Sequence, residues 1–204
     1  IAIYSIIGGV DESIFSIDSN TGDLEFNNPP DYENPLDSNL DNEYIVEVEV
    51  SDGTNTDTQE LTINVINIDD NAPIIISNGG NPTNINFSEN DNIVVTTVIS
   101  TDADNLPGTI YSISGTDALD FSIDSNTGEI SFSSIPNYED PDDNNLDNIY
   151  TFLVSVEDSG GNSDTQELTV NVMDVNEFDP VITSNGGDIP ESIDYIENDI
   201  NSVT

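Results

Sequence analysis

The chain has 204 residues, 42 of them acidic, and it contains no lysine, arginine, histidine or cysteine, so its formal net charge is −42. This charge excludes nucleic acid and anionic membrane surfaces as partners, because both repel an acidic chain. The missing residue types exclude disulfides, thiolate and imidazole metal ligands and Ser-His-Asp catalysis, and the oxygen-bearing side chains that remain suit hard cations such as Ca²⁺. No apolar run approaches the roughly 18 residues of a membrane span.

The first third of the chain combines a strand pattern with polar turns. It opens on "IAIYSI", which has the pattern of a mid-strand segment, so we expect the sequence to be an excerpt of a longer chain. "DSNTG" at 18–22 is typical of a hairpin turn whose glycine supplies a positive φ, with a metal loop as the alternative. "DSNLDN" at 37–42 and its copy at 143–148 resemble the start of a calcium loop, although Val48 and Val154 stand where an EF-hand needs glutamate. A polar turn and an additional Ca²⁺ site both remain open there.

The later part of the chain predicts strands throughout. In "NIYTFLVSVED" the side chains of Tyr150, Phe152, Val154 and Val156 fall on one face, the period of two that a half-buried strand shows. "TQELTVNVMDV" alternates in the same way and turns Leu168, Val170 and Val172 inward. Shorter strands are predicted near 85–88, 93–99, 109–114, 120–124 and 129–132. The fold class is therefore all-β, and seven short strands per repeat predict an immunoglobulin-like Greek-key sandwich.

Internal repetition predicts a tandem array. "FSIDSNTGDLEF" at 15–26 returns as "FSIDSNTGEISF" at 121–132, and "DTQELTINV" at 57–65 returns as "DTQELTVNV" at 164–172, offsets of 106 and 107 residues. One residue is inserted near Gly160, since the first copy has only Gly53 at that place. The spacing predicts a repeat without its N-terminal strands at 1–73, a complete repeat at 74–180, and the beginning of a third at 181–204.

Clusters of oxygen-bearing side chains precede a proline at both predicted boundaries, in "NIDDNAP" at 67–73 and "DVNEFDP" at 174–180. Carboxylates about 4 Å apart repel by roughly 4 kcal/mol per pair at an effective dielectric constant near 20. A divalent ion among them would turn six to eight oxygens into one rigid joint, whereas a short linker without the ion should act as a hinge. The alternative is a solvated acidic loop.

Five short motifs, in the same order in both copies, resemble the calcium-binding signature of cadherin repeats. They are "DYE" (31–33), "NIDDNAP" (67–73), "FSEN" (87–90), "DAD" (102–104) and "VSVED" (154–158). More narrowly, the "DYENP…DN.Y" stretch is similar to bacterial cadherin-like repeats of large surface proteins. The resemblance covers essentially the whole chain and implies tandem cadherin-like β-sandwiches with Ca²⁺ bound between them.

The resemblance also implies which residues bind the ions. At the first junction the matching positions are Asp31, Glu33, Asn67, Asp69, Asp70, Asn71, Asp102, Asp104 and Asp158. At the second junction they are Glu89, Asn137, Glu139, Asp174, Asn176 and Glu177. The counterpart of Glu89 for the first junction falls before residue 1, and the "DAD" of the third repeat falls beyond Thr204, so the second site is expected to be half present at most.

Several positions depart from the family pattern. Asn67 replaces the first Asp of the usual D-x-N-D-N linker and Asp69 replaces its Asn. In the second linker Glu177 replaces an Asp and Phe178 an Asn, while Asn137 replaces the Asp of "DYE". We therefore expect fewer ions, or more weakly bound ones, than a full set at each junction.

Three functions follow from these patterns. The first is a calcium-stiffened structural segment of an extracellular adhesin, filament or matrix protein. The second is adhesion by the repeats themselves, to copies of the same chain or to a cell-surface partner, by edge-strand addition or through Ca²⁺-bridged acidic faces. The third is a carboxylate-pair glycosidase. Abundant Asp and Glu make such a pair nearly inevitable, so we expect no enzymatic activity.

The expected binding of Ca²⁺ also predicts an extracellular location at the cell surface. Extracellular calcium modules bind the ion at about 10⁻⁴–10⁻³ M, concentrations that occur outside cells and not in the cytosol. A chain without cysteine fits a surface protein that relies on metal instead of disulfides. The predicted partners are calcium ions and the neighbouring repeats.

Overall fold

The computed structural model describes residues 1–90 and 92–183, and within them the chain is built almost entirely from strands. These are β1 (Ile3–Gly8), β2 (Phe15–Ile17), β3 (Leu24–Phe26), β4 (Glu43–Ser51), β5 (Thr56–Asn64), β6 (Ile74–Ile75), β7 (Thr83–Ser88), β8 (Val94–Thr97), β9 (Ser100–Thr101), β10 (Ile110–Ser114), β11 (Phe121–Ile123), β12 (Glu129–Phe132), β13 (Ile149–Glu157) and β14 (Ser163–Met173). Short 3₁₀ turns occupy Glu12–Ile14, Ser77–Gly80 and Ala118–Asp120. The all-β prediction is confirmed. No helix among the described residues is long and apolar enough to cross a membrane.

The second repeat is a β-sandwich with one continuous core. A four-stranded sheet in the order β10-β13-β14-β7 supplies one layer, and a three-stranded sheet in the order β11-β12-β8 supplies the other. The inward side chains of β13 are at most 1% exposed, as its alternating pattern predicted. Leu168, Val170 and Val172 of β14 join the same buried cluster. Burying these apolar side chains provides most of the stability of the sandwich.

One predicted strand is divided because its two parts have different partners, and one further strand segment was not predicted. The strand predicted at 93–99 is β8, which pairs with β12, followed by β9, which pairs with β6. The strand predicted at 85–88 is β7, which runs parallel to β14, and the segment β6 that precedes it in another sheet was not predicted. The turn at Ser77–Gly80 makes this change of sheet possible, with positive φ values at Asn78, Gly79 and Gly80. The second repeat thus has nine strand segments where seven strands were predicted.

The first repeat shows the same arrangement on a smaller scale. Its sheet has the order β1-β4-β5, and β2 and β3 form a hairpin against it. The ring centroids of Phe15 and Phe26 lie 4.6 Å apart and those of Phe26 and Tyr44 5.2 Å apart. The second repeat has an equivalent set in Phe121, Phe132 and Tyr150. The domain boundaries at 73 and 180 stay predictions, and residues 184–204 of the predicted third repeat lie outside the described residues.

Each of the two repeated polar loops is closed by hydrogen bonds from its backbone N–H groups to an aspartate side chain of the same loop. In the hairpin turn at 18–22 the carboxylate of Asp18 accepts hydrogen bonds from the N–H groups of Asn20 and Thr21, which lower its pKa. In the loop at 37–42 the two carboxylate oxygens of Asp37 accept from the N–H groups of Asp41 and Asn42. The carboxylate of Asp37 is only 2% exposed, so these contacts favour a polar turn over a calcium loop.

Candidate metal centre at the repeat junction

The linker between β5 and β6 is tied to the second repeat by asparagine side chains. Asn67 donates from Nδ2 to the backbone carbonyl of Asp104 at 2.8 Å. Asn71 donates to both carboxylate oxygens of Asp104, from its backbone N–H at 2.7 Å and from Nδ2 at 2.8 Å. These bonds fix the linker beside the turn that follows β9, where the first cluster of carboxylates forms.

Carboxylates from three separate segments converge there. One oxygen each from Glu33, Asp70 and Asp104 lie within 4.8 Å of one another, and so do oxygens of Asp69, Asp102 and Asp104. Glu33 comes from the first repeat, Asp69 and Asp70 from the linker, and the others from the second repeat. Asp104 belongs to both groups and is only 3% exposed. Ca²⁺ sites in proteins are formed by several such oxygen ligands lying close together.

The pKa values at the junction reflect crowded negative charge. Burial raises the pKa of Glu33, and the adjacent carboxylate of Asp104 and the charge of Asp70 raise it further. Burial also raises the pKa of Asp102, to which the charges of Asp104 and Asp69 add. The pKa of Asp104 is lowered, because the hydrogen bonds from Asn71 outweigh the effect of its burial.

Two oxygen atoms at the junction have no hydrogen-bond partner although they are buried. These atoms are Oε1 of Glu33 and Oδ1 of Asn67. A buried acceptor without a donor destabilises the folded chain, and a bound cation would remove this cost. Both residues are among those predicted as ligands.

Two of the other predicted ligands of the first junction instead close local turns. Asp31 accepts hydrogen bonds from the backbone N–H groups of Glu33 and Asn34, at 3.0 and 3.1 Å, and so shapes the turn that presents Glu33. Asp158 accepts two hydrogen bonds from Asn162, at 2.7 and 3.0 Å. Neither carboxylate belongs to the two convergent groups, although the charge of Asp158 contributes to the raised pKa of Asp102.

The second junction brings together three glutamates. Oxygens of Glu89, Glu139 and Glu177 lie within 4.8 Å of one another. Glu89 is 2% exposed and accepts from the backbone N–H groups of Tyr138 at 2.6 Å and Val175 at 2.7 Å. Burial raises the pKa of Glu139, and the charges of Glu89 and Glu177 raise it further.

The remaining predicted residues of the second junction lie around this group. Asn137 accepts from the backbone N–H of Glu139 at 3.0 Å, as Asp31 does from Glu33 in the first repeat. Asp174 is close enough for its charge to raise the pKa of Glu139, and Asn176 is exposed. The predicted contributions of the third repeat lie beyond the described residues.

The loop that follows β13 contains functional contacts that the sequence analysis did not assign. Gly160 donates its backbone N–H to the carboxylate of Asp69 at 2.8 Å, and the hydroxyl of Ser159 donates to the same oxygen. Asn162 donates from Nδ2 to the backbone carbonyl of Asp69 at 3.4 Å. The sequence feature that could have indicated these contacts is the residue inserted near Gly160. At the second junction, Asn90 was likewise not predicted, and it donates to Glu177 at 2.9 Å.

Comparison with known proteins identifies the family. The sequence matches the cadherin domain at residues 1–66 and again at 83–173. This chain belongs to the cadherin domain family. The predicted resemblance is thereby confirmed for most of its length, whereas the narrower likeness to bacterial repeats stays a prediction.

Curated relatives are large cadherins of animals. Human Protocadherin Fat 1 is 30% identical over 191 residues, which cover 88% of this chain and 4% of the relative. Mouse Cadherin EGF LAG seven-pass G-type receptor 2 is 29% identical over 180 residues, which cover 87% of this chain and 6% of the relative. The chain therefore spans only a small part of each of these proteins. Neither name is that of an enzyme.

Solved cadherin structures share the fold. Mouse cadherin-23 repeats EC22–24 superpose with a TM-score of 0.61 at 21% identity, covering 85% of this chain and 53% of that one. Extracellular cadherin domains 1–4 of Protocadherin Gamma B7 superpose with a TM-score of 0.63 at 22% identity, covering 85% of this chain and 42% of the other. The tandem β-sandwich architecture predicted from the sequence is the cadherin architecture.

Proposed function

We propose that this chain is a calcium-stiffened segment of an extracellular adhesion protein, in which Ca²⁺ at the junction holds neighbouring cadherin repeats as a rod. The observation that carries the proposal is the convergence of five carboxylates from two repeats and their linker at one place. The sequence has no basic side chain to neutralise them. The extracellular location is supported by the family and by the calcium concentration that such sites need.

In the proposed junction the shared aspartate couples the two repeats. Glu33, Asp70 and Asp104 would hold one ion, and Asp69, Asp102 and Asp104 would hold another. An ion bound by the first group contacts the first repeat, the linker and the second repeat at once, so it opposes bending between them. Asn67 and Asn71 are further predicted ligands, whereas Asp31 and Asp158, which were also predicted, hold the neighbouring turns through their hydrogen bonds.

The second junction is proposed to bind calcium through Glu89, Glu139 and Glu177. Their side chains converge as those of the first junction do. Asn137, Asp174 and Asn176 are the further predicted ligands. Because Glu177 replaces an Asp of the family pattern and the uncharged Asn137 replaces another, we expect weaker binding than at the first junction.

Calcium titration combined with small-angle scattering tests the proposed function. We expect binding at about 10⁻⁴–10⁻³ M, a narrower distribution of molecular dimensions on adding Ca²⁺, and a broader one in chelator. Mg²⁺ at the same concentration is the matched control and should have little effect, because it demands a smaller octahedral site. Dimensions and melting temperature that stay the same in calcium and in chelator would contradict the proposal.

A second candidate function is self-association through the outer face of the second repeat. β4 and β13 are equivalent nine-residue strands, yet Glu43 and Glu47 of β4 correspond to Ile149 and Leu153 of β13. The face of the second repeat therefore carries less negative charge and more exposed apolar surface. Sedimentation velocity with and without Ca²⁺ tests this candidate. Leu153→Glu should abolish any dimer, and a chain that stays monomeric at high concentration rules self-association out.

A further inference from the structure

The loop of the second repeat at residues 158–162 contacts the linker through uncharged donors. The carboxylate of Asp69 accepts from the backbone N–H of Gly160 and from the hydroxyl of Ser159, and its carbonyl accepts from Asn162. We infer that this loop is a calcium-independent clasp, which positions Asp69 before an ion binds. The inference rests on the proposed function only where it concerns calcium affinity.

Gly160 makes the clasp possible because its backbone lies directly against that of Asp69. A Cβ atom built on Gly160 would overlap the carbonyl oxygen of Asp69. Any other residue at this position would therefore push the linker away. The neighbouring Gly161 has a φ of +87° and no atom within 4 Å of the place a Cβ would occupy, so it shapes the loop without contacting the linker.

Asp158 holds the rest of the clasp in place. Its two carboxylate oxygens accept the backbone N–H and the Nδ2 group of Asn162, and the same Nδ2 group reaches the Asp69 carbonyl. Asp158 is 7% exposed. It thus acts as a positioning residue that orients the Asn162 donor through one hydrogen bond to each of its carboxylate oxygens.

The equivalent loop of the first repeat is shorter and closes on itself. Asp52 accepts from the backbone N–H groups of Thr54 and Asn55, both at 2.8 Å. Gly53 has no atom within 4 Å of its Cβ position. The loop of the second copy is one residue longer, and Gly160, which contacts the linker, lies within this longer loop.

The clasp predicts that the junction keeps part of its order without calcium. Hydrogen bonds from neutral donors to Asp69 do not depend on a cation, and they hold its carboxylate near Asp102 and Asp104. A linker held in this way should bind calcium more tightly than a free one, because less of it has to be ordered when the ion binds.

Distance measurements between spin labels test the clasp in chelator. The chain has no cysteine, so Thr58→Cys and Thr165→Cys provide one exposed label on each repeat. In chelator we expect the labelled parent to show a distance distribution broader than in calcium, and Gly160→Ala to show one clearly broader still. Gly161→Asn is the matched control, since asparagine tolerates a left-handed backbone, and its distribution in chelator should match that of the parent.

Asp69→Asn distinguishes the effect of the clasp from the effect of ion binding. Asparagine keeps an acceptor for Ser159 and Gly160 but removes a charge, so the distance distribution in chelator should match that of the labelled parent while calcium affinity falls. Gly160→Ala should also lower calcium affinity, by roughly tenfold, because two hydrogen bonds of ordinary net strength are lost. Asn162→Ala provides a milder second variant if Gly160→Ala fails to fold.

Two results would overturn the clasp. One is a distribution for Gly160→Ala, or for Asn162→Ala if the former does not fold, as narrow as that of the labelled parent in chelator. The other is equal broadening in the Gly161→Asn control. A parent that binds no calcium would refute the proposed function but not the clasp, since the distances are measured without the ion.

Discussion

Replacing Asp104 by asparagine should weaken calcium binding more than any other single charge removal at the first junction. Asp104 is the one carboxylate that belongs to both convergent groups found among the described residues of this junction. Asparagine has nearly the same size and keeps an acceptor for Asn71, so the fold should survive. The second hydrogen bond from Asn71 would lose its acceptor, because an NH₂ group replaces one carboxylate oxygen.

The loss of calcium affinity depends on how many of the two convergent carboxylate groups each residue belongs to. With a dissociation constant of about 10⁻⁴–10⁻³ M, one ion at 10 mM free Ca²⁺ stabilises the folded chain by roughly 1.4–2.7 kcal/mol. For a repeat of about 100 residues this raises the melting temperature by roughly 6–20 °C. If each lost carboxylate weakens a site about tenfold, Asp102→Asn weakens one site and Asp104→Asn weakens both.

Calorimetric titration and thermal unfolding in 10 mM Ca²⁺ and in chelator would measure these effects. A tenfold loss of affinity at 10 mM Ca²⁺ removes about 1.0–1.3 kcal/mol of stabilisation per ion, so the calcium-dependent rise in melting temperature should fall about twice as far in Asp104→Asn as in Asp102→Asn. Asp124→Asn, in the exposed hairpin turn, is the control and should bind calcium as the parent does. An Asp104→Asn variant that binds calcium as tightly as Asp102→Asn would refute the shared-ligand geometry.

Three further predictions concern charge, packing and backbone. Because burial and neighbouring charge raise the pKa of Glu33 above its ordinary 4.5, its ionised form destabilises the fold, so Glu33→Gln should increase stability to urea in chelator at pH 7. This gain in stability should shrink as pH falls toward 4, and a gain that does not change with pH would contradict a raised pKa of Glu33. Val154→Ala should cost about 2 kcal/mol because Val154 is fully buried, whereas Leu153→Ala, at a side chain 42% exposed, should cost far less. Gly128→Ala should lower the melting temperature, since Gly128 has a φ of +72° and a Cβ would overlap the carbonyl of Val98.

The alternation of side chains predicted much of the fold. Tyr150, Phe152, Val154 and Val156 occupy every second position of β13, and a strand with one buried face permits only that register. Hairpin turns such as "DSNTG" were equally predictable, because their hydrogen bonds form between residues two or three apart. The division of strand 93–99 was not predictable, since it depends on which sheet each part joins.

The sequence predicted which residues belong to the candidate site but not which contacts each of them makes. Glu33, Asp69, Asp70, Asp102 and Asp104 were all named from motifs and converge in the structure. The same motifs did not reveal that Asp31 would instead hold its own turn, because carboxylates that bind an ion and carboxylates that accept N–H groups occur in similar short sequences.

The sequence by itself determined the repeat length, the all-β class, the buried faces and the acidic linkers. These properties depend on residue type and local spacing, which a single strand or turn expresses on its own. Only the tertiary structure decided which side chains from distant segments meet. Asp69 and Gly160 lie 91 residues apart and contact one another because the linker docks on the loop after β13. Such contacts arise from the packing of whole repeats, and no local pattern encodes them.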